Sequence, residues 1–180
     1  MPSHDASLPA SEAQRTEAGP DAVPWVASGL LGGALGAATV AVFFLIVDLV
    51  AGRPLWTPTT LGSALFRGEM LPASAPAEPV LVLGYTAVHG LVFVGFGLIA
   101  AFLLMNGERR IAGGRAVALA GALFAAFEIT FVIFAIVFDR QLMQELGAGR
   151  VALANALAAV VMTVFLAARD ATTRRTLGQG

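Results

Sequence analysis

The stretch PVLVLGYTAVHGLVFVGFGLIAAFLLM, Pro79–Met105, runs without a single formal charge. A bilayer core takes about 20 consecutive apolar residues as a helix, so this segment can span one. In lipid a lone strand leaves its backbone groups unpaired, which makes the segment helical. A barrel would show short alternating segments, and the chain has none. Three more runs share its character, approximately Val26–Gly52, Ile111–Phe138 and Leu146–Ala168. The expected fold is all-α, a four-span transmembrane helical bundle.

Composition agrees. Of 180 residues, 57% are hydrophobic and 13% charged, against about 25% charged in soluble domains. There is no cysteine, which excludes disulfides, thiolate chemistry and cysteine-held metal. The net charge is −1 and all basic residues are arginines. Without a basic stripe or RNA-binding signature, nucleic acid is not an expected partner. The lipid bilayer is.

Residues 1–24 read as a disordered acidic tail, with Asp5, Glu12, Glu17 and Asp21 against Arg15. Residues 25–169 form the bundle and 170–180 a second short tail. The acidic start and the long first run do not suit a secretory signal, so the first span is expected to be retained. With four spans, both tails and the middle loop share one side. That side carries Arg15, Arg109, Arg110, Arg115, Arg169, Arg174 and Arg175. The other carries Arg53, Arg67, Arg140 and Arg150. The positive-inside rule then puts both termini in the cytoplasm. Trp25 and Trp56 fall at opposite interfaces, where indoles anchor helices.

The connection GRPLWTPTTLGSALFRGEMLPASAPAEP, 52–79, then lies outside. Thr57 followed by Pro58 suits a helix start, and Leu61 and Leu65 share a face with Phe66 beside them. A short interfacial helix is expected there. In the first span Gly32 and Gly36, and in the fourth Ala152, Ala156 and Ala159, are spaced for close helix packing. This packing is expected mainly inside the bundle, with contact to a second copy as the alternative. Phe124, Phe127, Phe131, Phe134 and Phe138 repeat at 3, 4, 3, 4. Such a seam packs on a neighbour or faces lipid more readily than it stacks a ligand.

Ionisable side chains within spans cost about 2.5–3.5 kcal/mol on insertion scales and usually have partners. Here they are Asp48, His89 and Glu128, with Tyr85 and Asn155 as uncharged companions. At a rise of about 1.5 Å per residue, His89 and Glu128 each lie about 15 Å from the outer end, and Asn155 about 13–14 Å. Tyr85 sits one turn outward of His89. Equal depth would let His89 and Glu128 share a proton or an ion pair, with Asn155 and Tyr85 completing a polar cluster. Such a cluster can simply join helices, at about 0.6 kcal/mol per bond. It can also handle protons or a small ligand. No cofactor is expected: one histidine in the spans is a thin ligand set for a metal or haem, and a quinone belongs to the alternative reading below. Asp48, near a helix C-terminus, faces the negative end of the dipole and should seek a cation. Arg53 and Arg150 are the candidates, as an ion pair or at a cavity mouth. No nucleotide loop, zinc-protease helix or nucleophile elbow is present, and no catalytic residue is identified.

Taken in order, Asp48, GRPLWTPTTLGSALF, YTAVHGLVFVGFG, FAAFEITF and ANALAAVVMTVFLAAR resemble a group of uncharacterised bacterial four-helix membrane proteins. The resemblance covers about Leu30 to Arg169. It implies a bacterial inner-membrane location and no particular activity. The expected function is that of a non-enzymatic accessory, scaffold or small binding subunit. It could act within a homo-oligomer or larger complex. The alternative is a proton-linked transporter or a redox subunit using the same cluster.

Overall fold

The computed structural model describes residues 24–105, 113–138 and 142–176. The tail 1–23, the arginines at 109, 110 and 140, and the last four residues lie outside them. Six helices follow in order: α1 Pro24–Val50, α2 Trp56–Arg67, α3 Pro79–Met105, α4 Gly114–Val137, α5 Leu142–Leu146 and α6 Ala148–Thr176. Four of them, α1, α3, α4 and α6, are long and apolar enough to cross a membrane. They form the expected four-span, all-α bundle. The fourth span begins later than Leu146. Gly147, at φ +75, breaks the chain between α5 and α6, a backbone state that glycine adopts without a Cβ penalty. At its far end α6 continues past Ala168 to Thr176.

The spans lie in a row, α4 on α6, α6 on α1, and α1 on α3. The tightest junction is α1 against α3. A Cβ at Gly33 would lie 2.5 Å from Phe93 O and Val94 Cα, and one at Gly29 would lie 2.7 Å from Leu98 Cα. A Cβ on Gly97 would strike the Gly29 carbonyl from the opposite side. Only glycines let the two backbones meet, and in lipid such close packing is what joins helices. Of the two glycines singled out above, Gly36 is wedged between Met162 of α6 and Phe93 of α3. Gly32 has only ordinary contact with Leu166 and Phe165. Ala159 is buried, while Ala152 and Ala156 are half-buried. The close-packing glycines thus serve contacts within the bundle.

The expected short amphipathic helix forms as α2, and it is also packed into the protein. Most of it, from Trp56 to Ala64, is buried. One face packs on α3, where a Cβ on Gly62 would meet Leu81 O at 2.6 Å. The return segment covers the rest. The Trp56 indole N–H donates to Pro72 O at 3.1 Å, and the Glu78 N–H donates to Thr59 Oγ1 at 3.4 Å. Arg67 grips Glu78 with two hydrogen bonds, of 3.1 and 2.7 Å. The apolar Pro- and Ala-rich return segment thus gives α2 a second wall. Trp56 is correspondingly 2% exposed and does not anchor a lipid interface. Trp25 packs edge-on against Phe102 at the other end of the bundle.

Candidate functional site

The row of helices leaves α3 and α4 without a continuous shared surface, because α3 is spent on α1 and α2, and α4 on α6. Between them lies a cavity of about 330 Å³, at the small end of the roughly 300–1,000 Å³ range of ligand sites. Tyr85, His89 and Phe93 of α3 face it, as do Phe127, Phe131 and Phe134 of α4. Phe44 of α1 and Phe96 of α3 add two more rings. Thr57, Pro58, Leu61 and Leu65 of α2 close its end.

The rings form a continuous ladder. Tyr85 stacks on His89 with centroids 5.5 Å apart, His89 meets Phe93 at 4.7 Å, and Phe93 meets Phe127 at 4.6 Å. Phe96 touches Phe127 edge-on at 5.4 Å. These ring contacts bridge α3 and α4. Of the phenylalanine seam on α4, Phe127, Phe131 and Phe134 are on the cavity wall.

Three of the four cluster residues, Tyr85, His89 and Asn155, line this one cavity. Glu128 does not. The Asn155 amide donates to Glu128 Oε1 at 2.8 Å, tying α6 to α4. His89 is bonded elsewhere: its Nε2 lies 3.3 Å from the Ala37 carbonyl oxygen of α1. A carbonyl only accepts, so Nε2 is the donor. The expected His89–Glu128 pair does not form. Equal depth is not adjacency here. His89 reaches back to α1, while Glu128 is held on α4 against α6. The Tyr85 hydroxyl makes no hydrogen bond with the described residues.

Asp48 also has a partner other than the expected one. Its carboxylate accepts the Thr57 backbone N–H and the Thr57 hydroxyl, both at 2.7 Å, and it is 1% exposed. Neither Arg53 nor Arg150 pairs with it. The Arg53 guanidinium lies 3.7 Å over the Trp56 ring instead, and Arg150 is exposed at the start of α6. The reason is geometric. The chain turns from α1 into α2 within five residues, 51–55, which brings the first turn of α2 onto the last turn of α1. A helix N-terminus offers unpaired N–H groups and positive potential. Asp48 therefore caps α2 from the preceding helix. This serves in place of a cap from Leu55, which sits at φ 62 without a side-chain bond.

The Ala37 carbonyl, Thr57 as partner of Asp48 and the cavity itself escape a reading of the sequence alone. A polar group in a span advertises need, and a backbone carbonyl that meets it leaves no mark on composition. Among the described residues no group of three or more His, Asp or Glu side chains is placed to hold a metal ion. No family model, no curated protein and no solved structure matches the chain.

Proposed function

We propose that this chain is a non-enzymatic membrane protein, a small binding subunit that holds an uncharged lipophilic molecule within the bundle. The observation that carries this reading is the cavity. It has a volume suited to a small ligand, an aromatic and aliphatic lining, and no Asp, Glu, Lys or Arg on its wall. A charged occupant would be desolvated there without a partner, which is prohibitive, whereas an apolar one loses nothing relative to lipid. The same lining weighs against the proton-linked transporter, because Glu128 stands outside the wall and is engaged by Asn155.

The test is extraction of mildly solubilised, purified protein into organic solvent, followed by mass spectrometry. A lipophilic molecule should be retained by the wild type and lost from V92W, which fills the cavity from a half-exposed wall position. Equal retention by the two proteins would sink the proposal.

The resemblance to bacterial proteins and the excess of arginine on one side support an inner-membrane protein with cytoplasmic termini. Because the chain has no cysteine, single cysteines placed at Ala73 and Arg175 give a clean topology assay. An impermeant maleimide should label position 73 in intact spheroplasts and position 175 only after lysis. The reverse pattern inverts the orientation.

A further inference from the structure

We infer that the occupant is a planar, uncharged ring bearing a carbonyl oxygen, the chemistry of a quinone, which enters sideways from the bilayer between α3 and α4 and is held by the Tyr85 hydroxyl. The inference rests on the cavity being a binding site, and it adds the ligand's class, its contact and its route.

The shape of the ligand follows from the walls. Rings from three helices surround the space, and the Tyr85–His89–Phe93–Phe127 ladder runs along it. Offset-stacked and edge-on contacts favour a flat aromatic partner over a saturated chain. Its charge follows from the lining, which carries no Asp, Glu, Lys or Arg.

The oxygen follows from a count of donors. The lining threonines are occupied: Thr57 Oγ1 donates to Asp48, Thr86 Oγ1 to Val82 O and Thr130 Oγ1 to Ala126 O. His89 Nε2 is engaged by Ala37 O, and Asn155 Nδ2 gives one of its two N–H groups to Glu128. That leaves the second Asn155 N–H and the Tyr85 hydroxyl, and of these two side chains only Tyr85 has no hydrogen-bond partner among the described residues. A phenol donor that faces the cavity with no protein partner, on a wall without charged groups, is free to donate to an acceptor on the ligand. It lies six residues into α3, about 9 Å along the helix from Pro79.

The route follows from the packing. Asp48 holds Thr57, and the return segment is clasped by Arg67 and Glu78, so α2 and its cover shut the end of the cavity. On the α3–α4 side the two helices are bridged by rings rather than by close backbone packing. Rings can swing where backbones cannot, and that side faces lipid.

The experiment uses the full chain in lipid nanodiscs and measures partition of a probe between protein-loaded and empty discs. The probes are 2-methyl-1,4-naphthoquinone and 2-methylnaphthalene, which share a ring system and differ in the carbonyls. The quinone should bind the wild type, and Y85F should weaken it about three- to tenfold, the worth of one hydrogen bond. The hydrocarbon should bind wild type and Y85F alike. V92W and T130W, on opposite walls, should exclude both probes. If Y85F changes neither probe while the tryptophans exclude both, the carbonyl inference is wrong and the cavity reading stands. If neither tryptophan changes either probe, both readings fall. Circular dichroism and elution volume confirm that each variant is folded.

Discussion

Replacing Asp48 tests how α2 is fastened. Its carboxylate takes two hydrogen bonds of 2.7 Å from Thr57, and Thr57 is itself only 4% exposed. In D48L the Thr57 N–H and hydroxyl would both stay buried without an acceptor. Each stranded group costs about 1–3 kcal/mol, so the variant should lose about 2–5 kcal/mol after partial relaxation. D48N keeps one acceptor oxygen and loses the charge, and should cost about 1–2 kcal/mol, close to an ordinary cap. The double variant D48L/T57V has one orphan fewer, so its loss should be smaller than the sum of the single losses. The assay is reversible unfolding in mixed micelles, with the free energy taken from the midpoint and slope. A loss below about 0.5 kcal/mol for D48L, the range of featureless surface changes, would refute the capping argument. So would a D48N effect that vanishes in an R53A background, because the partner would then be the arginine.

Five further outcomes follow from the same geometry. N155L strands the Glu128 carboxyl and should destabilise by about 1–3 kcal/mol, whereas N155L/E128L should recover most of the loss. H89L and E128L should combine additively in the same unfolding assay, since the two residues do not touch. G33L forces a side chain into the Phe93–Val94 backbone and should cost about 1–3 kcal/mol or more, while G32A should be nearly silent. The hydroxyls of Thr60 and Ser63 are buried without a partner among the described residues, so T60V should be neutral or stabilising by about 1 kcal/mol. The Arg67 guanidinium holds the Glu78 carboxyl below the ordinary carboxylate range. The clasp is therefore fully formed above about pH 4.3, the usual glutamate value, and is lost as pH falls through the lowered one. Limited proteolysis of the segment 68–78 should accelerate below that point, and E78Q should be cut rapidly at every pH.

The four spans were legible because length and missing charge leave a lipid-embedded chain little choice. The polar residues were legible as residues and only partly as partners. Asn155 and Glu128 share a depth and do meet, since α4 and α6 are neighbours. His89 has the same depth and meets a carbonyl instead, because α3 lies on α1. Depth is a one-dimensional coordinate, and the order of helices around the bundle is the second one. That order rests on Gly29, Gly33 and Gly97, whereas the spacing in the sequence pointed to Gly32 and Gly36, of which only Gly36 is tightly packed. The α2 helix was legible from Leu61, Leu65 and Phe66 as a one-sided helix; its cover was not, because the Pro72 carbonyl and Glu78 of the return segment carry no periodic signal.

The row α4–α6–α1–α3 departs from chain order, and this constrains biogenesis. When α1 and α3 have both emerged, their glycine faces can meet at once. Helix α4 comes next and finds no large surface waiting for it, because its neighbour α6 has yet to be made. It must wait in the bilayer, with Glu128 unpaired, until α6 slots between it and α1. Insertion and assembly are thus separate events for α4, and α6 joins it to the rest of the row.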